Sequence, residues 1–572
     1  MRTKQIILFA ITALILNIYQ VKAQNIDREV TIEKEYTPEV EMAVKKTGVP
    51  KAENPRVEKP QSQYSSWAEP LAETASSQPL LVNELSNQQN SDAQRGYANF
   101  GMGNNLNINA DAGIRLINTQ SNQLGVWYNH TSTGGRLKYK DNVPVYGGSD
   151  VYQHLNSNVV NLTYKHGFNK LEWESNIAYK HNKFNYYGAP LMPQYQTPSA
   201  TEYQKVNQYA IGTSFRSTKN DKFTIGASIG FVGYYNKSGY IIGEAGGREN
   251  HLKTNFVMEA CLGGINNSLG VDVKMDNLFY NSAALANNYT LLSFTPFYKF
   301  SNNAIRLKAG VKMDISANDG TIFRFAPDVE FNANLGKYFQ FYTIINGGKE
   351  LNTWNKTSAR NIYINPTKQL ANSYTATNAV AGVVFNYYPS ITLKVYGGFK
   401  TSTNALFDVR CNESVVDGVI SSYEVVDYMP IDAYRWLGGA DISFKFKKIL
   451  EGEVKWNLNS WRSRDGGEQI LSALPKNEWN IKVGVNPINN LSFNVNFYMG
   501  LDRGYRYQND MGIFVNEKMG DIYDLNLGAV YSLNKMISFN LQWNNILSQH
   551  YDIYYGMPAQ KMHFLLGAAV KF

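Results

Sequence analysis

From Tyr97 to the end of the chain, polar and apolar residues alternate in segments of about ten residues. In one segment Leu491, Phe493 and Val495 fall on one parity, while Asn494 and Asn496 fall on the other. Successive side chains of a strand point to opposite faces, so each segment predicts a strand with one apolar and one polar face. Such strands are longer than those of most soluble sheets, and about ten tilted residues cross a bilayer. The same alternation is found in Leu171/Trp173/Ile177/Tyr179, Ile305/Leu307/Ala309/Val311/Met313 and Leu450/Val454/Trp456/Leu458.

Tight polar turns separate these segments at regular intervals. Asn, Asp, Gly and Pro tolerate turn geometry, and we expect ten turns near Gln120, Asn169, Asn220, Asn266, Asn302, Gly336, Pro389, Lys447, Asn489 and Asn534. The connections at the other ends of the strands are uneven, and the longest are residues 347–374 and 402–434. Short turns at one end and long connections at the other are typical of an outer-membrane barrel with periplasmic turns and extracellular loops.

Ten turns join eleven hairpins, which predicts an all-β transmembrane antiparallel barrel of 22 strands. This count requires residues 97–117 to form a hairpin with a short connection near Asn105. If these residues form one continuous strand, the count falls to 21, which breaks the even number typical of bacterial barrels.

The N-terminus differs from the rest of the chain. Residues 1–23 have Arg2 and Lys4 followed by an apolar run and a small-residue ending, which predicts a cleaved signal peptide. Residues 24–96 are rich in charge, Pro, Ser, Gln and Asn, which predicts a flexible charged periplasmic segment. Within it, Glu29 to Glu33 alternates and would suit addition to a partner's sheet, although a charged tether is the simpler interpretation. We therefore expect a signal peptide (1–23), a periplasmic segment (24–96) and a barrel (97–572).

Composition and motifs exclude several classes of function. The net charge of +8 is spread along the chain without a basic run, so no nucleic-acid partner is expected. Two cysteines, Cys261 and Cys411, do not make a disulfide framework. No hydrolase, phosphate-loop or metalloprotease motif is present, so we expect no enzyme, no cofactor, and no catalytic, cofactor-binding or metal-binding residue.

Three weaker patterns favour ordinary barrel positions over chemical sites. His166 and His181 flank one turn but should lie at different heights, which disfavours a metal site. The stretch from Asp314 to Gly320 lacks the glycine and distal glutamate of a calcium loop. The acidic residues Glu172, Glu174, Glu451 and Glu453 are expected in a water-filled lumen.

Tyrosine pairs near strand ends are interpreted as an interfacial aromatic girdle, with stacking on sugars as the alternative. These pairs are Tyr186/Tyr187, Tyr234/Tyr235, Tyr387/Tyr388 and Tyr554/Tyr555.

The two ends of the barrel sequence resemble a known family. Phe564, Leu566, Ala568, Val570 and the terminal Phe572 share the lipid-facing parity. The closing hairpin resembles that of the TonB-dependent receptors, and Gly96 to Asn104 is similar to their opening strand pair, through Asn544-Asn545-Ile546-Leu547, His550-Tyr551, Tyr554-Tyr555, Phe564-Leu565-Leu566-Gly567 and Val570-Lys571-Phe572. The resemblance covers residues 97–572 and implies an uptake barrel. Family members also have a globular plug domain, and residues 24–96 lack the periodic apolar pattern to fold as one.

These observations favour a solute passage or uptake component of the cell outer membrane that lacks the usual plug. The alternative is a scaffold or assembly partner that does not transport and works through its N-terminal periplasmic segment. The expected partners are outer-membrane lipid, an unidentified solute and, for the alternative, periplasmic or outer-membrane proteins.

Overall fold

The computed structural model of the chain describes residues 95–572 apart from 144–145, 191–194, 196–201, 218–221, 241–243, 263–265, 282–286, 319, 367, 369, 388–389, 418 and 510. The predicted signal peptide (1–23) and the predicted periplasmic segment as far as residue 94 lie outside the described residues. Among the helices of the described ranges, none combines the length and apolar character needed to cross a membrane.

The described residues form 26 strands and one short helix. In chain order they are β1 (Gly96–Gly103), β2 (Ile108–Asn118), β3 (Asn122–Lys138), β4 (Asp150–Gly167), β5 (Leu171–Asn185), β6 (Tyr203–Ser217), β7 (Phe223–Asn236), β8 (Arg248–Cys261), β9 (Asn267–Tyr280), β10 (Tyr289–Ser301), β11 (Ile305–Ala317), β12 (Phe323–Leu335), β13 (Phe339–Glu350), α1 (Trp354–Arg360), β14 (Ser373–Tyr387), β15 (Ile391–Asp417), β16 (Val419–Phe446), β17 (Leu450–Ser463), β18 (Asn477–Ile488), β19 (Leu491–Leu501), β20 (Arg503–Gln508), β21 (Phe514–Met519), β22 (Ile522–Ser532), β23 (Ile537–Asn544), β24 (Asp552–Tyr554), β25 (Met557–Pro558) and β26 (His563–Lys571).

All strands except β20, β21, β24 and β25 form a closed antiparallel wall, which confirms the predicted barrel of 22 strands. Each wall strand pairs with its neighbours in chain order, and β26 pairs with both β23 and β1. At this seam Tyr97 lies opposite Lys571 and Gly103 lies opposite Leu565. The backbone amide of Gly96 donates to the carbonyl of Phe572 at 2.8 Å. Closure leaves the wall without an unpaired edge.

The predicted turns lie at one end of the wall, which we call the short-turn end. Eight of the ten expected turns join consecutive wall strands, for example at Asn489 between β18 and β19 and at Asn534 between β22 and β23. The other two predicted turn residues, Asn220 and Pro389, lie outside the described residues. The proviso on residues 97–117 is also met, because β1 and β2 form a hairpin joined through residues 104–107. The opposite end is the long-connection end, which in outer-membrane barrels faces outside.

The parity of the strands is as expected. On β26, Phe564, Leu566 and Val570 have large exposed fractions and point outward, as does Phe572 directly after the strand. Inward-facing charges of both signs pair along the lumen wall. Glu172 binds Lys165 at 2.9 Å and Arg216 at 3.3 Å. A wall that is apolar outside and polar inside suits lipid on one side and water on the other.

One predicted connection is wrong. Residues 402–434 were expected to form a long loop, but β15 and β16 remain paired from Ala405/Ile431 out to Asp417/Val419. The hairpin therefore extends far beyond the part of each strand that a membrane requires. Its outer portion packs on both faces, since Leu406 contacts one buried cluster and Phe407 another. With both faces buried, no alternation marks it as a strand.

Candidate functional site

The most elaborate region of the molecule is the long-connection end of the barrel. We define the cap as the described residues of connections 139–149, 186–202, 237–247, 351–372 and 545–562, together with residues 404–432 of the β15–β16 hairpin. The cap has its own apolar core, which is rich in tyrosine. The core consists of Leu137, Tyr139, Val143, Val151, Phe184, Tyr186, Tyr187, Ala189, Val206, Tyr234, Tyr240, Trp354, Tyr363, Tyr423, Val425, Val426 and Met557.

Aromatic rings in this core meet edge to face. The ring of Tyr363 lies 5.4 Å from that of Tyr187 and 5.8 Å from that of Phe184, with interplanar angles of 90° and 87°. The rings of Tyr186 and Tyr240 are tilted by 55° to each other, with centroids 4.8 Å apart. Edge-to-face pairs add stabilisation beyond the burial of apolar area. The core therefore has specific ring geometry and is more than a collapse of loops.

The cap lies across the mouth of the barrel. The β5–β6 connection and the β15–β16 hairpin are separated by ten wall strands in one direction and twelve in the other. A barrel of 22 strands is on the order of 40 Å wide, yet Arg410 Nη1 donates to the carbonyl of Ala189 at 2.9 Å. Segments from nearly opposite sides of the wall can touch only if they cross the opening.

Arg410 joins three of the cap segments. Its Nη1 also binds Glu424 Oε1 at 2.5 Å, and its Nη2 donates to the carbonyl of Tyr555. Burial lowers the pKa of Arg410, but Glu424 and nearby tyrosines more than offset this and raise the pKa above its ordinary value. The guanidinium stays charged, and it draws the β5–β6, β15–β16 and β23–β26 connections together. A backbone hydrogen bond of 3.0 Å from Ala189 N to Gly556 O closes the same junction.

Glycine makes this junction possible. Gly556 has a φ of +70°, which side-chain-bearing residues rarely adopt. A Cβ at Gly188 would lie 2.8 Å from Cε of Met557. The β5–β6 and β23–β26 connections thus approach each other more closely than residues with side chains would permit.

The helix α1 fastens the β13–β14 connection to β8. Glu249 is a buried residue of β8, and both of its carboxylate oxygens accept hydrogen bonds from backbone amides in the first turn of α1. The donors are Trp354 N at 2.6 Å and Asn355 N at 3.2 Å. Tyr280 Oη donates to the same carboxylate at 3.1 Å. An anion at a helix N-terminus satisfies free amides and complements the helix dipole. Glu249 therefore anchors a long connection whose described residues contain one helix of about two turns.

Buried carboxyl groups also occur in the cap. Burial raises the pKa of Asp408, and Arg360 opposes this only in part. Its Oδ1 has no hydrogen-bond partner within the described ranges. Burial likewise raises the pKa of Asp427, which forms an ion pair with Lys368. These groups favour the protonated state more strongly in the closed cap than in water.

The histidines and the aspartate that were considered as metal ligands form ordinary hydrogen bonds in the wall. His166 binds Asn122 Oδ1 at 2.5 Å and His181 binds Asn207 Oδ1 at 2.7 Å, eight register positions apart. In the described part of the chain, no cluster of three potential metal ligands is found. Asp314 is a strand residue whose oxygens accept from Ser293 and from the backbone of Lys349.

The aromatic-girdle interpretation is wrong for several tyrosine pairs. Tyr186, Tyr187 and Tyr234 are buried in the cap core, and Tyr554 packs against that core. Tyr387 is exposed on the wall near Tyr338, as a girdle residue should be. The misplaced pairs lie next to strand ends in sequence, and sequence gives no signal that their connections fold back over the opening. Tyr388 lies outside the described residues.

Solved structures share this fold. No family model and no curated protein matches the chain in sequence. The siderophore receptor PirA from Acinetobacter baumannii is similar over 84% of this chain and 80% of its own, with 10% identity and a TM-score of 0.64. The FpvAI structure in the FpvAI–pyocin S2 complex has 11% identity and a TM-score of 0.62, over 84% and 73% of the two chains. The copper transporter OprC has 10% identity and a TM-score of 0.59, over 84% and 81%. The chain therefore has the barrel fold of the TonB-dependent receptors, as the resemblance of its closing hairpin implies.

Proposed function

We propose that the protein is a gated uptake barrel of the outer membrane, in which the cap closes the outer mouth and must open for a solute to enter. The observation that supports this most directly is the junction of Arg410 with Ala189 and Tyr555, which joins opposite sides of the mouth. The polar, charged lumen below it suits a solute in water. The solved structures that share this fold include a siderophore receptor and a copper transporter, which favours transport over catalysis.

A reversible cross-link tests this proposal. A Cβ at Gly188 would lie 3.1 Å from Cγ of Met557, so the variant Gly188→Cys/Met557→Cys should place a thiol within disulfide distance of its partner. The full mature chain is reconstituted in planar bilayers, and conductance is recorded before and after reduction. We expect an oxidised barrel that stays closed and openings that appear after reductant is added. All variants carry Cys261→Ser and Cys411→Ser, because Cys411 packs against the same core as Met557. Each single cysteine variant is then the control, because it has no second thiol with which to form a bridge. Equal conductance in the oxidised and reduced states, with the cross-link verified by gel mobility, would contradict gating by the cap.

The alternative is that residues 24–96 act as a periplasmic segment that binds an envelope protein, in place of a plug. It is supported by the position of Gly96, which pairs with Phe572 at the short-turn end. Residues preceding β1 therefore start at the end that faces the periplasm in such barrels. A pull-down from envelope extracts compares the full mature chain with a chain lacking residues 25–95. Partner recovery that is unchanged by the deletion would exclude this alternative.

A further inference from the structure

A row of tyrosines marks the upper limit of the lipid-facing surface on β3 to β6. Register places Tyr128, Val160, Tyr179 and Tyr209 side by side on the outer face. All four are exposed. The next outward row toward the short-turn end is wholly apolar and consists of Val126, Leu162, Ile177 and Ile211. The row toward the long-connection end is polar and consists of His130, Asn158, His181 and Asn207. Tyrosine prefers the boundary between hydrocarbon and headgroups, so the polar rows lie at headgroup level.

Two lysines follow in the next outward row. Lys183 on β5 lies directly opposite Lys205 on β6. Each is four residues beyond its girdle tyrosine, which is about 13 Å along a strand. Because strands of such barrels are tilted by about 40° and lysine side chains are long, both ammonium groups can reach the headgroup layer.

The charges around this lysine pair differ from those around a comparable pair in the lumen. Like charges directly opposite each other destabilise a sheet, and of the carboxylates that the structure describes none lies within 4.0 Å of either Nζ. Lys299 and Lys308 form the same kind of opposed pair in the lumen. There Glu259 binds Lys299 at 2.5 Å and Asp328 binds Lys308 at 2.7 Å. Both pairs also contact an aromatic ring, since Lys183 Nζ lies 4.2 Å from the ring centroid of Tyr203 and Lys299 Nζ lies 4.8 Å from that of Phe297. The two pairs therefore differ in their carboxylates.

A cavity opens beside this ring. It has a volume of about 460 Å³ and is lined by tyrosines, with Ser149 and Asp150 as polar neighbours. The tyrosines are Tyr139, Tyr146, Tyr152 and Tyr203. Aromatic rings that flank a few hydrogen-bonding groups suit the apolar face and the hydroxyl groups of a sugar ring. The cavity and the lysine pair share Tyr203, so one ligand can occupy both.

We propose that this surface binds the phosphorylated sugar headgroup of an outer-leaflet glycolipid. The phosphate lies between Lys183 and Lys205, and the sugar packs against Tyr152 and Tyr203 in the cavity. Arg248 lies two strands from Lys205, about 10 Å away, and stacks on Tyr235. It is placed for a second phosphate of the same headgroup.

Native mass spectrometry of the full mature chain in detergent micelles tests the proposal. The probe is bisphosphorylated lipid A, and the same lipid after removal of both phosphates is offered at equal concentration. We expect wild-type protein to retain the phosphorylated form preferentially. Lys183→Gln/Lys205→Gln should lower its retention about tenfold, because two charge-assisted contacts to phosphate are lost. Tyr152→Ala should lower retention of lipid A while leaving binding of phosphatidylglycerol, which has no sugar, unchanged.

The matched control is Lys337→Gln/Lys447→Gln. These lysines have the same kind of cation–aromatic contact, at 5.5 Å from Tyr338 and 5.4 Å from Phe446, but at the short-turn end. We expect this variant to retain lipid A as the wild type does. Equal retention of the dephosphorylated lipid, or unchanged retention by Lys183→Gln/Lys205→Gln, would overturn the proposal. Displacement of lipid A by an equimolar amount of inorganic phosphate would also overturn it, by assigning the lysines to the free ion.

Discussion

The barrel wall and the cap contain segments of the same strands, yet different interactions hold them together. In the wall, each strand is fixed by a ladder of backbone hydrogen bonds to two neighbours, and side chains outside need only be apolar. In the cap, individual side chains such as Arg410 and Glu249 hold distant segments together. The wall should therefore tolerate many substitutions that conserve polarity. The cap should depend on a few residues, and under the proposed function it is the part that opens.

The largest effect is expected at Arg410. In Arg410→Ala, the buried Glu424 loses its ion pair with Arg410, and breaking a buried ion pair typically costs about 3–5 kcal/mol. Hydrogen exchange should accelerate at residues 186–189 and 553–557, while exchange in β22 and β23 stays slow. Arg462→Ala is the control, because the guanidinium of Arg462 is exposed. If Arg410→Ala leaves exchange in both cap segments unchanged, the junction does not hold the cap closed.

A charge placed on the outer face tests the wall. Val495 points outward and its neighbour Asn496 points inward, both near the middle of β19. We expect Val495→Lys to lower the free energy of unfolding by about 2–4 kcal/mol, because a charge then faces hydrocarbon. Asn496→Lys, at the same depth, should change it by less than about 1 kcal/mol. Urea titration in lipid vesicles measures both values, and equal losses would refute the assigned parity.

Glu249 tests how the cap is fastened to the wall. Glu249→Gln replaces one accepting oxygen by an NH2 group that faces a backbone amide, which should cost about 1–3 kcal/mol. The expected result is faster exchange at the amides of Trp354 and Asn355 without a change in the unfolding of the wall. Glu468→Gln is the control, since Glu468 is exposed. A loss of wall stability as large as the local loss would show that cap and wall unfold together.

The smallest effect is expected from pH. The pKa of Asp408 is raised above its ordinary value of 3.8 in the closed cap by burial. A carboxyl with a raised pKa favours the closed state while it is protonated, and this contribution is lost as pH rises through the raised pKa. Channel opening in planar bilayers should therefore increase from about pH 4 upward. Asp408→Asn should weaken this dependence, and an unchanged profile would exclude Asp408 as its source.

The wall could be predicted from sequence because lipid and water act on opposite faces of every strand. That contrast produces the parity of segments such as Leu491 to Met499, and the turn residues then give the strand count. The outer part of β15 and β16 escaped prediction because Leu406 and Phe407 are both buried, so the pattern of polar and apolar residues disappears. The contacts within the cap could not be predicted from sequence for another reason. Arg410 and Ala189 are distant in sequence, and no periodic pattern relates them.

The pair of Lys183 and Lys205 could be predicted from sequence only in part. Parity assigns Lys183 and Lys205 to the outer face, and this could be read from sequence. Their direct opposition depends on register, which is set by the connection between β5 and β6. Only the three-dimensional structure shows that, among the described residues, no carboxylate lies within 4.0 Å of either lysine Nζ.

The seam between β1 and β26 has a consequence for how the molecule is made. The first wall strand, β1, is synthesised long before β26, the strand with which it pairs. Until Gly96 meets Phe572, the sheet has two open edges that can pair with other chains. This pairing joins the most distant residues of the wall, so it has the highest loop-closure cost of any strand pair. A sheet that lacks β26 therefore stays open, because β1 and β23 then have no common partner, and closure of the wall depends on the nine residues of that one strand.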